Sequence, residues 1–206
     1  MLQMVSGTRE QLRGGMEVSL AQYRHRVFIR ELGWPLQTED GLERDAFDRA
    51  DTLYVVAHDD QGRVCGCGRL LPTSGPYLLG EVFPGLMGDI PLPRSAQIWE
   101  LSRFAISTPE GMRLTGEQAW RNTCALMADI VRVASEQGAE RLIAFSAVGN
   151  ERLLRRMGVN VHRVSAPQLI DGKPVLAFWI EIDEQTLSAL GITPTRQVDA
   201  GRGLIT

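Results

Sequence analysis

A chain of 206 residues, 44% hydrophobic and 23% charged, has the length and composition of an ordinary globular protein that buries one sizeable core, which excludes disordered, collagen-like and disulfide-scaffold classes. A formal net charge of −3 argues against a general nucleic-acid binder, although every cationic side chain except Lys173 is an arginine. The longest apolar stretches, residues 53–57 and 175–180, fall far short of the roughly 20 residues that span a bilayer, and the N-terminus carries no export signal, so a cytoplasmic location without membrane contact is expected.

The first predicted element is a helix over residues 19–32, with Leu20, Tyr23, Val27 and Leu32 at helical spacing and Gly33, Trp34 and Pro35 as its stop. An irregular acidic stretch, 37–51, leads to a strand over 53–57, a turn at 59–62 and a returning strand over 63–71 that Pro72 ends; Gly66 and Gly68 weaken that second strand. Residues 72–95 are rich in Pro and Gly and read as irregular, followed by a strand over 97–106. The pattern Thr115-x-x-Gln118 opens a helix over 115–137, with Trp120, Thr123, Met127, Ile130 and Ala134 along one face. A strand over 141–148, a short helix over 150–157 and a strand over 175–182 complete an α/β chain.

This order predicts a single mixed sheet with flanking helices, in one domain over 1–183 with a C-terminal extension, 184–206, where Gly201 and Gly203 weaken any helix. The same order is that of the acyl-CoA N-acyltransferase (GNAT-like) fold, whose diverging central strands make a cleft for an acyl thioester; that step is analogy. Three cysteines, Cys65, Cys67 and Cys124, cannot all pair with one another and read as buried thiols. Neither they nor the scattered His25, His58 and His162 have zinc-like spacing, so no metal site is expected.

The chemistry-bearing residues run Arg24-x3-Phe28-x5-Trp34, Asp45-x-x-Asp48, Arg69, then Trp99-Glu100-Leu101-Ser102-Arg103-Phe104. Arg24 and Phe28 share a helical face, setting a guanidinium beside a ring that Trp34 can extend, a group suited to a sulfonium and a carboxylate. The same pair also fits an amphipathic surface helix with a snorkelling arginine. Asp45 and Asp48 read either as a solvated acidic loop or as partners for Arg69, whose long cation lies inside an apolar strand. Glu100 and Arg103, three residues apart, fall on opposite faces of a regular strand: a β-bulge is predicted between them, the alternative being an edge strand with ordinary exposed charges.

Taken as an ordered set over roughly residues 5–180, these positions resemble the acyl-homoserine-lactone synthase (autoinducer synthase) family. The resemblance implies a quorum-sensing transferase that moves an acyl group onto the amine of S-adenosylmethionine and closes the lactone, releasing 5′-methylthioadenosine. It implies Glu100 as base with Arg103 beside it, and Arg24, Phe28, Trp34, Asp45, Asp48, Arg69, Arg103 and Phe104 around S-adenosylmethionine, which is a co-substrate, so no cofactor is expected. The implied acyl donor is an acyl carrier protein, with acyl-CoA used by some members. An acyl pocket is expected beside the second central strand and the long helix, lined by Met127, Ile130, Phe145, Ser146 and Leu154, all of which also fit a plain core. Arg152, Arg155 and Arg156 make a basic patch for carrier docking or a solvated helix face.

Two rival readings remain. An acetyl-CoA-dependent N-acetyltransferase normally shows an Arg/Gln-x-x-Gly-x-Gly/Ala loop after its central strand; here only Gly111 and Gly116 match a phosphate cradle. A non-enzymatic acyl or nucleotide sensor would not need Glu100 beside the cleft.

Overall fold

Strands β2 (Leu53–His58) and β3 (Val64–Pro72) form the predicted hairpin, its turn held by the Asp59 carboxylate, which accepts from the Gln61 and Arg63 amides at 2.9 Å each. The computed structural model describes residues 2–36, 38–108 and 113–193. An edge strand β1 (Gln3–Gly7) lies antiparallel on β2, and β4 (Ile98–Ile106) lies antiparallel on β3. Next come β5 (Arg141–Ala147), parallel to β4, and β8 (Lys173–Glu181), antiparallel to β5 and flanked by the short β6 (Val161–Arg163) and β7 (Gln168–Ile170). The result is one mixed sheet in the order β1-β2-β3-β4-β5-β8-β6, as the alternation of elements predicts. Pairing of β4 with β5 runs from Ile98↔Arg141 to Leu101↔Ala144 and stops there, while the strands continue separately to Ile106 and Ala147. The two central strands therefore splay.

The alternation of side chains assigns each sheet face its own cover. One face carries Val55, Leu70, Leu101, Leu142, Leu176 and Phe178 into the largest core cluster, under α3 (Gly116–Glu136) and α4 (Val148–Arg156). The capping box on α3 forms as read, with the Gln118 amide donating to Thr115 Oγ1 at 3.2 Å. Gly66 and Gly68, which read as weak points of a strand, are what lets α3 settle. A Cβ at Gly68 would lie 2.5 Å from Ile130 Cδ1, and one at Gly66 would lie 3.0 Å from Leu126 Cδ2. The opposite face is covered by α1 (Met16–Arg24), packed on Tyr54, Val56 and Cys67, and by α2 (Leu78–Val82), packed on Leu71, Ile143 and Ala177.

Differences from the sequence reading have local causes. The first helix begins at Met16, and after Arg24 it widens into a π-helix, His25–Glu31, whose apolar spacing is indistinguishable from that of an α-helix. The stretch expected to be irregular holds α2 and a 3-10 turn, Pro84–Met87, both too short to show a period. Past residue 183, Asp183 caps α5 (Glu184–Ala189), buried Thr186 accepts from the Asn160 amide at 3.1 Å, and Leu187, Leu190 and Ile192 pack on the main core. Gly111, Gly201 and Gly203 lie outside the described residues. No described helix is long and apolar enough to cross a membrane.

Candidate active site

The predicted bulge is present, and it decides the site. Cys67 pairs with Ala105 but Arg69 pairs with Ser102, so two steps on β3 span three on β4, and the extra residue is Arg103, at φ 54. Left-handed backbone is costly for an arginine, roughly 1–2 kcal/mol. Cys67 Sγ donates to the Arg103 carbonyl at 3.1 Å and pins the distortion. In a regular strand Arg103 would follow Leu101 into the α3 core; the bulge instead returns it to the face shared by Arg69, Glu100 and Ser102.

Three arginines and three carboxylates meet on that face. Arg24 comes from the last turn of α1, Arg69 from the middle of β3 and Arg103 from the bulge, while Glu43, Asp45 and Asp48 come from one loop. Arg24 donates to Glu43 through Nε and to both oxygens of Asp48 at 2.7 and 3.0 Å. Arg69 Nη1 donates to Asp45 at 2.6 Å and to Asp48 at 3.2 Å. Arg103 Nη2 donates to Glu43 and Asp45, both at 2.8 Å. Each cation thus sits between two anions and each anion between two cations, so the six groups close into a neutral ring. All three arginines are buried. The loop is itself built to this shape, since the Glu43 amide donates to the Ala21 carbonyl at 3.0 Å, the Asp45 amide donates to Asp48 at 2.8 Å, and Tyr54 Oη donates to Asp48 at 2.8 Å.

Ring geometry sets the charges. Burial alone would raise the Asp48 carboxyl, but the charge and hydrogen bonds of Arg24, aided by Arg69, hold it well below the usual carboxylate range. Burial likewise works against ionised Glu43, and Arg103 with Arg24 overcomes it and keeps the carboxyl low. Glu100 is the opposite case: it is fully buried, and burial lifts its carboxyl above the usual range despite amide donors from Leu79 at 2.5 Å and Leu78 at 3.3 Å, the amides that open α2. Between Glu100 and the ring stands Ser102, whose hydroxyl accepts from Arg69 Nε at 3.0 Å. Arg69 Nη2 is the one buried side-chain nitrogen or oxygen among the described residues that has no hydrogen-bond partner.

Phe28 and Trp34 stack with centroids 4.7 Å apart and planes 26° from parallel, and Trp34, 38% exposed, forms the outer wall. The guanidinium over these rings belongs to Arg103, 5.5 Å from each, whereas Arg24 is committed to the charge ring. Arg24, Phe28, Trp34, Asp45, Asp48, Arg69, Glu100 and Arg103 are thereby brought together. Phe104 is not: its side chain lies on the opposite sheet face, against the α3 core. The residues expected to line an acyl pocket divide between the faces. Met127, Ile130 and Leu154 are buried in the α3 core, and Ser146, paired with Leu176, faces that side, but Phe145 lies under α2 with its ring 5.0 Å from Phe83. Of the α4 cations, Arg152 is exposed, Arg155 pairs with Glu151 at 2.7 Å, and Arg156 lies 4.6 Å over the ring of Trp120.

Sequence reasoning missed Glu43, which is fully buried between Arg24 and Arg103. A signal existed, because three buried cations set against only Asp45 and Asp48 leave one charge unbalanced, and Glu43 stands two residues from Asp45. Cys67 is no nucleophile, since burial pushes its thiol up to about 12.

Comparison with known proteins gives the chain a family. The autoinducer synthase family model matches residues 13–190. An acyl-homoserine-lactone synthase of Ralstonia solanacearum is 48% identical over 180 residues, 86% of this chain and 88% of its own. Among solved structures, TofI in a ternary complex with an inhibitor and MTA superposes with a TM-score of 0.81 at 44% identity, covering 93% of this chain and 98% of that one. BjaI, a CoA-dependent acyl-homoserine lactone synthase solved with SAM and isopentyl-CoA, gives 0.82 at 27% identity, covering 94% and 92%. An acyl-CoA N-acyltransferase from Pseudomonas aeruginosa shares the fold, with a TM-score of 0.59 at 19% identity over 87% of this chain and 99% of that one. The chain belongs to the autoinducer synthase family and, like its acyl-homoserine-lactone synthase relatives, is an acyltransferase.

Proposed function

We propose that the ring-and-bulge face binds S-adenosylmethionine, that the splay between β4 and β5 admits an acyl thioester, and that Glu100 takes a proton from the amine that joins them. The observation that carries this reading is the juxtaposition of a carboxyl raised by burial with a fixed cationic and aromatic wall. The Phe28–Trp34 stack offers an aromatic face to a sulfonium, and the unpaired Arg69 Nη2 offers a donor to the methionine carboxylate. TofI was solved with MTA and BjaI with SAM, and both superpose on this chain over nine-tenths of its length or more.

The amine, once deprotonated, attacks the thioester carbonyl. An N–C bond forms, the C–S bond breaks, and backbone amides freed where β4 and β5 part stabilise the oxyanion. Of the two protons the ammonium sheds, one leaves with the thiol and one is released. The carboxylate then attacks its own γ-carbon, the sulfonium C–S bond breaks, and neutral methylthioadenosine departs. Holding that reactive fold is a proximity effect, worth about 7–11 kcal/mol in well-oriented intramolecular cases. The sequence calls for no metal or cofactor.

For the donor we favour an acyl carrier protein, because β4 is not followed by the pyrophosphate-loop motif and exposed Arg152, Arg155 and Arg156 on α4 suit an acidic partner. The test supplies S-adenosylmethionine with octanoyl carrier protein or with octanoyl-CoA and follows methylthioadenosine and lactone together. Both products from the carrier substrate are expected. Lactone from octanoyl-CoA alone overturns the donor assignment, acetyl transfer without methylthioadenosine points to an N-acetyltransferase, and binding without turnover points to a sensor.

A further inference from the structure

We infer that Trp120 and Arg156 form a latch across the strand splay, and that Trp120 limits the length of the acyl chain the enzyme accepts. This rests on the acyl-transfer reading above.

Beyond the last β4–β5 pair, six side chains from the elements next to the gap pack on the core of the α3 face and make its rim in this reading: Phe104 and Ile106 from β4, Trp120 and Cys124 from α3, and Val148 and Leu153 from α4. All six are half-buried apolar side chains packed against the main core. About two to three turns beyond Trp120 along α3, Leu126, Met127 and Ile130 are completely buried. A half-open apolar rim above a closed apolar floor, set at the point where two strands part, is the form of a channel for an aliphatic chain. Trp120 is the largest side chain of that rim, so its position sets the clear depth.

Arg156 holds that position. Its guanidinium lies 4.6 Å from the indole centroid, the closest cation–π contact among the described residues, and it joins the last turn of α4 to the second turn of α3. Its neighbour Arg155 is tied to Glu151, whereas Arg156 has no carboxylate within ion-pair reach among the described residues. The indole is thus its anchor, and an anionic group on the donor can compete for it. Arg156 therefore acts through Trp120 as a positioning residue, and Trp120 is the specificity-determining one.

The test has a turnover arm and a binding arm. With S-adenosylmethionine and acyl carrier substrates of six and ten carbons, Trp120→Ala should raise the ten-to-six ratio of kcat/KM by about tenfold, the scale on which apolar pockets discriminate methylenes. Arg156→Met, which leaves an apolar stem on the indole, should move the ratio the same way by about threefold. A pure docking role for Arg156 would instead raise KM equally for both lengths. Should Trp120→Ala not match the wild-type circular dichroism, Trp120→Leu carries the same comparison. In the binding arm, calorimetry with S-hexyl and S-decyl pantetheine thioethers reads the same preference without catalysis. If wild-type protein binds the thioethers but forms no lactone, the acyl-transfer reading fails, and the latch is judged on binding alone. A ten-to-six ratio unchanged within about twofold in a folded Trp120 variant overturns the latch.

Discussion

Burying six charges is favourable only while every one of them is answered. Transfer of each ion from water costs several kcal/mol, and the ring recovers that cost through short, partly bidentate contacts. Removing one member leaves two opposite charges each short of a partner. Glu43→Gln should therefore lower the unfolding free energy by about 3–5 kcal/mol in urea titration. Glu17→Gln, which breaks contacts to exposed Arg9 and half-buried Arg44, should cost no more than about 1 kcal/mol. A similar loss for the two variants would show that the ring is not a structural unit. Glu100 answers to activity instead. Because its carboxyl ionises above the usual range, kcat/KM should fall as pH drops through that raised value. Glu100→Gln should abolish this limb and slow turnover by about 10²–10⁴-fold; retained activity with an unchanged profile would remove Glu100 from the role of base.

At the scale of elements, the bulge was legible because chemistry and pattern disagreed. Glu100 and Arg103 both had reason to face one site, yet a regular strand separates them, and only an extra residue reconciles the two. The glycines of β3 were misread for the opposite reason, since the helix that needs them lies about sixty residues further along the chain. Local propensity saw weak strand formers where packing needed empty space. Gly68→Ala tests this: forcing a Cβ to within 2.5 Å of Ile130 Cδ1 should cost about 1–3 kcal/mol by overpacking, and Gly68→Ala with Ile130→Val should recover part of it. The π-helix, the three-residue strands and α2 stayed hidden because none carries a period that differs from its surroundings. Phe104 was misplaced by the bulge itself, which shifts every later side chain of β4 by one face.

Across the whole molecule, the sheet separates a charged face under α1 and α2 from an apolar face under α3, α4 and α5, and the two communicate where β4 and β5 part. Acid should attack the first face through its ring. In the folded state Asp48 and Glu43 ionise below their unfolded values, so their contribution to stability is complete above the ordinary carboxylate range, near pH 4, and is lost as pH falls through the depressed values. Glu100 has the opposite sign: its raised carboxyl favours the folded state at low pH, and that contribution fades as pH rises past the unfolded value toward the raised one. The charged face holds two depressed carboxylates, Glu43 and Asp48, against one raised, Glu100, so unfolding free energy should decline from about pH 5 downward. Asp48→Asn should flatten that decline while lowering stability near neutrality, because Arg24 and Arg69 both lose a charged partner. Urea titrations at intervals from about pH 3 to 7 read both effects at once, and an equal slope in wild type and variant would mean that acid acts elsewhere in the fold.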